Sequence, residues 1–228
     1  MKLFTYPNDP KFRSEEQMAL DAWMLLQTEQ TESVGFRCYQ MADVITIGRS
    51  QASLCTASHR GLDSGQTWVR RPTGGGTVYH GDDLIYALSI PRAHSLYVLK
   101  LSEIYRALHS FFSRILSHFS LETILHAERV KALPGNCFDA PNQYDLLASE
   151  SGKKIAGSAI KKSKAGILVQ GSFSCPLPSE DFFEQSRNSM IHEWALESSE
   201  ISLESVRKSC HWHDLCQQFN SDQWNLSR

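Results

Sequence analysis

Along the chain, the polar run Ser14-Glu15-Glu16-Gln17 gives way to apolar residues at helical spacing, Met18, Ala22, Leu25 and Leu26. This pattern predicts an early amphipathic helix opened by a capping box. Val34 to Gln40 and Val44 to Ile47 are short, rich in β-branched and aromatic residues, and separated only by Met41-Ala42-Asp43, as the two arms of a hairpin would be. Trp68 to Arg71 and Leu84 to Ile90 read as strands on either side of a glycine-rich turn, with Pro91 ending the second, because proline cannot donate to a ladder. From Leu101 the positions Ile104, Tyr105, Leu108, Phe112 and Ile115 keep a 3.6-residue period, which predicts the longest helix of the chain, backing the sheet. Strand-like runs return at Leu121 to Leu125, Tyr144 to Leu147 and Ile167 to Phe173, and a polar tail from Pro178 reads as helical in pieces.

Strands and helices do not alternate in β-α-β units, so the expected class is α+β, with a mixed, largely antiparallel sheet backed by helices. No low-complexity linker or repeat divides the 228 residues. The expectation is one domain over 1–228, with a short helical tail from about residue 177. Lysine and arginine (23) nearly balance aspartate and glutamate (25), leaving a net charge of -2, which excludes a general attraction for nucleic acid or membrane. The N-terminus lacks an apolar run between a basic head and a cleavage site, and no stretch has the length of a membrane span, so a cytoplasmic location is expected. Six cysteines without framework spacing fit reduced thiols better than disulfides.

Against that neutral background three stretches stand out. Arg70-Arg71-Pro72-Thr73-Gly74-Gly75-Gly76-Thr77-Val78-Tyr79-His80 combines three glycines, which let backbone approach a ligand, with two arginines able to grip a carboxylate or phosphate. It lacks the spacing of a Walker A loop or of GxGxxG, and a flexible hairpin tip with solvated arginines is the bland alternative. Lys153-Lys154-Ile155-Ala156-Gly157-Ser158-Ala159, followed by Lys161, Lys162 and Lys164, forms a local basic surface suited to an anionic ligand or an acidic partner, or else a solvated charged turn. Gly135-Asn136-Cys137-Phe138-Asp139-Ala140-Pro141-Asn142-Gln143-Tyr144-Asp145 carries a cysteine near those lysines, where a thiolate could be favoured; a small buried hydrophobe is the alternative. Cys210-His211-Trp212-His213-Asp214-Leu215-Cys216 looks like a metal set only superficially. On a helix His211 points away from Cys210, His213 and Cys216, so helix packing is the better reading and no metal is expected.

Three segments, Ile47-Gly48-Arg49-Ser50-Gln51, Arg70 to His80 and Lys154-Ile155-Ala156-Gly157-Ser158-Ala159, resemble the hallmarks of the lipoate–protein ligase and octanoyltransferase family in composition, order and interval over about residues 1 to 176. The resemblance implies the catalytic-domain fold shared with biotin–protein ligases and an enzyme that attaches octanoyl or lipoyl groups to a lysine of carrier domains. It implies a substrate site lined by Arg49, Arg70, Gly74, Gly75, Gly76, His80, Gly157, Ser158 and Ala159. Lys154 would stand at the reacting carbonyl, and the acyl chain would run between sheet and helix. The Cys-Phe-Asp-Ala-Pro-x-x-Tyr-Asp stretch is similar to the nucleophile region of cysteine-dependent octanoyltransferases, which implies Cys137 as nucleophile and octanoyl-acyl carrier protein as donor, with no tightly bound cofactor. From the same resemblance, an accessory domain of the ligase kind is not expected within these 228 residues.

The alternative within the family is a ligase using lipoate, ATP and Mg2+. A biotin ligase is disfavoured because its Gly-Arg-Gly-Arg-x-Gly-Arg segment is absent, and a catalytically silent lipoyl- or carrier-binding member is the remaining reading. The implied partners are lipoyl domains of 2-oxoacid dehydrogenases or of the glycine cleavage H protein, together with acyl carrier protein. Two positions depart from the family pattern: Gln170 stands where many members have histidine, and Ile160 where they have glutamine.

Overall fold

Two sheets organise the chain. The structure, a computed structural model, describes residues 1–41, 43–51, 67–128 and 141–226. The large sheet contains β1 (Lys2–Thr5), β2 (Val34–Tyr39), β6 (Leu84–Ile90), β7 (Thr123–Leu125), β8 (Leu146–Ala148), β9 (Lys154–Ser163), β10 (Gly166–Phe173) and β11 (Glu197–Glu200), in the order β11-β1-β2-β6-β10-β9-β8-β7. β1 runs parallel to both its neighbours, and every pairing from β2 to β7 is antiparallel. The small sheet holds β3 (Val44–Ile47) between β4 (Thr67–Arg70), parallel to it, and β5 (Val78–His80), antiparallel. The α+β class with a largely antiparallel sheet is therefore as expected.

Both faces of the large sheet are covered, and side chains alternate between them with the period of two that a pleated strand imposes. One face (Val34, Phe36, Cys38; Leu84, Tyr86, Leu88, Ile90; Ile167, Val169, Phe173) packs against α2 (Leu101–Ser117) and α3 (Ser179–Glu193). A run of rings links these layers, with Tyr86 4.6 Å from Phe112 and Phe173 4.8 Å from Phe182 between centroids. The other face (Tyr39, Ile85, Ala87) packs against α1 (Ser14–Thr31), which is covered in turn by α4 (Leu203–Arg207) and α5 (Cys210–Phe219) through Val206, Trp212 and Phe219. The last helix, α6 (Asp222–Asn225), follows directly.

Several expectations change in detail. The helix α1 does begin at Ser14, but Arg13 is the flanking residue, and its N–H donates to the Glu16 carboxylate at 2.8 Å. The box is thus shifted by one residue, and only its carboxylate half exists, because a guanidinium cannot accept. The expected hairpin between residues 34–40 and 44–47 does not form. β2 is buried along its whole length and needs partners on both edges, β1 and β6, while β3 leaves by a left-handed turn at Asp43 (φ 54°) to start the small sheet. The turn after β4 leads to the extra strand β5, and β11 emerges from the polar tail. α2 has 17 residues and α1 has 18, so the longest described helix is α1. Sandwiched between sheet and α5, α1 buries Leu20, Asp21, Trp23 and Met24 as well as Met18 and Leu25, which one apolar stripe could not reveal. No described helix is long and apolar enough to cross a membrane.

Gly171 on β10 lies against the ring of Tyr86, which a Cβ would approach to 2.5 Å. Gly171→Ala should therefore cost about 1–3 kcal/mol from overpacking, read as a lowered Tm in thermal unfolding. An unchanged Tm would show that the strand does not lie so close to the ring.

Candidate functional site

The glycine-rich turn between β4 and β5 is built by the arginines that precede it. Arg71, almost fully buried, donates from Nη1 to the Thr46 carbonyl (3.0 Å) and hydroxyl (2.7 Å), and from Nη2 to the carbonyls of Gly74 (3.0 Å) and Gly76 (2.7 Å). Turning those carbonyls inward leaves the N–H groups of Gly74 and Gly75 without a hydrogen-bond acceptor among the described residues. Gly75 has φ +90°, a conformation that side chains other than glycine's rarely adopt. Beneath it lies Gly48, where any Cβ would run into the Gly75 carbonyl. The loop is pinned at its start by Arg49 N–H donating to the Thr73 carbonyl at 2.7 Å.

Arg70, expected in the substrate wall, lies with its guanidinium on backbone carbonyls. Its side chain is fully buried, and its guanidinium donates to the carbonyls of Gly48 (2.9 Å), Gln51 (2.8 Å) and Asn225 (2.9 and 3.1 Å). Donors used on backbone carbonyls are not available to a ligand. Arg70 therefore joins the Ile47–Gln51 segment to α6, where Trp224 donates its indole N–H back to the Arg70 carbonyl at 2.9 Å. Arg49 is exposed, with its guanidinium over the Trp224 ring at 4.3 Å. His80 is also engaged on both ring nitrogens, to Asp83 (2.8 Å) and to Thr46 (2.8 Å). Burial raises the Asp83 carboxyl, but the hydrogen bond and charge of His80 and the Gly81 N–H outweigh it and hold its pKa below the ordinary value. His80 braces the small sheet from inside.

Facing this loop is β9. Gly157, Ala159 and Lys161 share one side of the strand by its alternation, and a Cβ on Gly75 would lie 3.6 Å from that of Ala159. Ser158 points the other way, its hydroxyl 2.9 Å from His109 Nε2 on α2, so its side chain is removed from the expected substrate wall. Lys154, at the start of β9, is buried and pairs with Asp145, Nζ to Oδ2 2.7 Å. Gly157 makes this possible, since a Cβ there would lie 2.8 Å from Lys154 Cε, 3.0 Å from Nζ and 3.1 Å from Asp145 Oδ1. Lys154 and the glycine loop thus meet the same face of one strand two residues apart, about 7 Å at ~3.3 Å per residue.

Asp145 closes the segment that carries Cys137, a residue that lies outside the described ones. The described end, 141–145, is strongly held. The Asp145 carboxylate also accepts the Asn142 N–H at 2.6 Å, and Tyr144, at φ +72°, donates its N–H to the His126 carbonyl at 2.7 Å. A bulky residue at positive φ is strained and persists where its surroundings over-determine it. Part of that hold is His109, whose Nδ1 is 2.5 Å from the Tyr144 carbonyl. A carbonyl only accepts, so Nδ1 carries the proton and Nε2 accepts from Ser158. Burial lowers the His109 pKa, which suits this neutral form.

Gln170 on β10, where the family pattern suggested histidine, links the loop to the core: the Thr73 hydroxyl donates to its Oε1 at 2.7 Å, and its Nε2 donates to Asp21 Oδ2 at 2.6 Å. Gly48, His109, Asp145, Gln170 and Asp21 were not among the expected site residues. Gly48 and Asp145 lay inside segments already singled out. Asp21 and His109 were visible only as polar residues at helical positions otherwise filled by apolar ones. In α5, Trp212 is buried and His213 Nε2 is 2.7 Å from the Arg207 carbonyl. Among the described residues no group of three or more His, Cys, Asp or Glu could hold a metal ion.

The model of the lipoyl protein ligase A/B catalytic domain matches residues 13–205. The chain belongs to that family. It is 31% identical over 130 residues to the octanoyltransferase LipM of Staphylococcus epidermidis, covering 54% of this chain and 46% of that protein. The LipM of Bacillus subtilis is 32% identical over 125 residues, 51% and 44% of the two chains. The chain thus spans about half the length of the curated relatives it matches. A Thermoplasma acidophilum protein solved with bound lipoic acid superposes with a TM-score of 0.72 at 17% identity, covering 100% of both chains. The bi-partite lipoate protein ligase solved with its E2 lipoyl domain from the same organism gives 0.71 at 15% identity, over 99% of this chain and 96% of that one. Both likenesses bear on the fold, and that fold is the one the family resemblance implied.

The close packing of Lys154 over Gly157 yields a test. Gly157→Ala should displace the lysine ammonium and lower any turnover that depends on it by roughly 10- to 100-fold, as ångström-scale misplacement does, with little change in Tm because the atoms displaced end a flexible side chain. Equal activity would separate the glycine from the lysine's position.

Proposed function

We propose that this chain is a protein octanoyltransferase, passing an octanoyl group from acyl carrier protein through a Cys137 thioester to the lysine amine of a lipoyl carrier domain. The observation that carries the reading is the convergence of the glycine-loop backbone and the Lys154–Asp145 pair on the Gly157–Ala159 face of β9. Its support from kinship is the similarity to the two LipM octanoyltransferases.

In the first half-reaction the Cys137 thiolate attacks the thioester carbonyl, and the carrier's thiol leaves and takes up the proton. In the second the lysine amine of the lipoyl domain attacks the octanoyl-cysteine carbonyl, forms the amide, and returns a proton to the departing cysteine sulfur. Each attack develops negative charge on the carbonyl oxygen, and a buried ammonium fixed by a carboxylate is a preorganised donor for it. Asp145 holds Lys154 in place, and His109 and the Tyr144 turn hold Asp145. Ala159 and the loop glycines offer a narrow seat for the acyl carbon, and the apolar chain, directed between sheet and helix, gains about 0.8 kcal/mol per buried methylene. The proposed partners are lipoyl domains of 2-oxoacid dehydrogenases or of the glycine cleavage H protein. Arg49 and Lys161, beside the loop, provide positive charge at its mouth; burial and Arg49 lower the Lys161 pKa.

One observation favours a second reading. The N–H groups of Gly74 and Gly75, which find no acceptor among the described residues, would suit an acyl-adenylate phosphate, as in a ligase using lipoate, ATP and Mg2+. The two are separated by offering octanoyl-acyl carrier protein, or lipoate with ATP and Mg2+, each with an apo lipoyl domain. The octanoyltransferase reading predicts transfer from the carrier alone and a hydroxylamine-labile octanoyl adduct on Cys137 by intact mass. Full transfer by the Cys137→Ser variant would exclude the thioester route, and turnover only with ATP would establish the ligase.

A further inference from the structure

We propose that Gln170 is a positioning residue for the glycine loop, carrying the fixed polarity of the buried Asp21–Arg37 pair to the Thr73 hydroxyl and so setting where the loop stands over β9. The inference deepens the acyl-transfer reading and rests on it for its kinetic consequences.

Hydrogen bonds of fixed direction connect the buried pair to the loop. Asp21 and Arg37 are both fully buried and pair at 3.1 Å. The same carboxylate accepts from the Tyr39 hydroxyl at 2.7 Å and from Gln170 Nε2 at 2.6 Å. Burial raises the Asp21 pKa against the charge of Arg37 and the hydrogen bonds of Tyr39, Gln170 and Arg37; as the carboxylate paired with Arg37 it only accepts, so the amide turns its NH2 towards Asp21. Its carbonyl oxygen then faces the loop, and the Thr73 hydroxyl must donate to it, at 2.7 Å. The Thr73 carbonyl meanwhile accepts the Arg49 N–H at 2.7 Å. The residue immediately before Gly74 is thus fixed through side chain and backbone, by one bond from the core and one from the turn that follows β3.

Among the described residues the Gln170 amide's other hydrogen-bonding contact is Nε2 to Met18 Sδ at 3.5 Å, a weak acceptor that leaves the bond to Asp21 in place. The titratable and charged groups facing it are Asp21 from α1 and Arg37 and Tyr39 from β2, and its strand partners, Ala87 on β6 and Ala159 on β9, bring none. From the loop, Arg71 is turned to Thr46 and the glycine carbonyls. Gln170 is paired with Ala159, whose Cβ stands 3.6 Å from where a Cβ on Gly75 would lie, so a shift at Thr73 moves the loop relative to the strand that presents Lys154. A side chain that donates at one end and accepts at the other is required, which a carboxylate or an alkyl group of similar size does not provide.

Gln170→Glu preserves shape but can donate to Asp21 only when protonated, and two carboxylates sharing a site have one pKa strongly raised. Octanoyl transfer by this variant should approach that of the unmodified chain near about pH 5.5 and fall roughly 10- to 100-fold in kcat by about pH 8, with KM for the acyl carrier changed far less. Thr73→Val should show the kcat loss at every pH, and Thr73→Ser should restore it. Amide hydrogen exchange of residues 72–77, compared with the unmodified chain at each pH, needs no substrate and should show the loop loosening in Gln170→Glu as pH rises. A pH profile and loop exchange for Gln170→Glu that match the unmodified chain, or full kcat in Thr73→Val, would overturn the proposal. Thr73→Val leaves the Asp21 pair intact and so decides the matter even if Gln170→Glu does not fold. If the unmodified chain transfers no octanoyl group, the functional reading falls while loop exchange still judges Gln170.

Discussion

The backbone of the glycine loop rests directly on Gly48, with Ala159 of β9 facing it, and this close approach of main chains is the constraint on which the rest of the site depends. A side chain at 48 would strike the Gly75 carbonyl. Arg71 completes the clamp by drawing the carbonyls of Gly74 and Gly76 inward. The residues that look most like ligand-binding groups in the sequence, the paired arginines, are thus consumed in shaping the loop, and the loop's backbone is what remains to meet a substrate.

Two buried polar chains approach the site from opposite faces of the large sheet. On the α1 side the Asp21–Arg37 pair reaches Thr73 through Gln170. On the α2 side His109 holds the Tyr144 carbonyl, and the turn it braces presents Asp145 to Lys154. Burying an ion pair is often no more stabilising than apolar packing would be, while removing one partner costs about 3–5 kcal/mol. Such groups are better understood as fixing geometry than as adding stability. Each chain ends on one of the two elements that converge at β9, so the sheet serves as a common reference for both.

The class of fold and the main segments of the site were legible in the sequence because short strands rich in β-branched residues and a 3.6-residue period express local rules. The partnership of strands was not: β2 and β3 adjoin in sequence yet belong to different sheets, since β2 requires neighbours on both edges. Helix α1 concealed its double burial, and Asp21 within it gave only the signal of a polar residue in an apolar run. The internal partners of Arg70 and His80 were hidden for the same reason. Sequence identifies a donor but not the carbonyls or carboxylates that fold against it. Gln170 shows the converse: a departure from the family pattern proves to be an anchor once Asp21 and Thr73 are seen on either side of it.

The most direct test of the central claim is a crosslink between positions 75 and 159 in the folded chain. The Cβ spacing of 3.6 Å falls in the range of about 3.5–4.5 Å found in disulfides. With the native cysteines replaced by serine, the Gly75→Cys, Ala159→Cys double variant, strained by about 1–3 kcal/mol at the φ +90° of position 75, should still form an intramolecular bond under mild oxidation, identified by peptide mass mapping. Two thiols that both remain free in a folded protein would contradict the apposition of glycine loop and β9 on which the account stands.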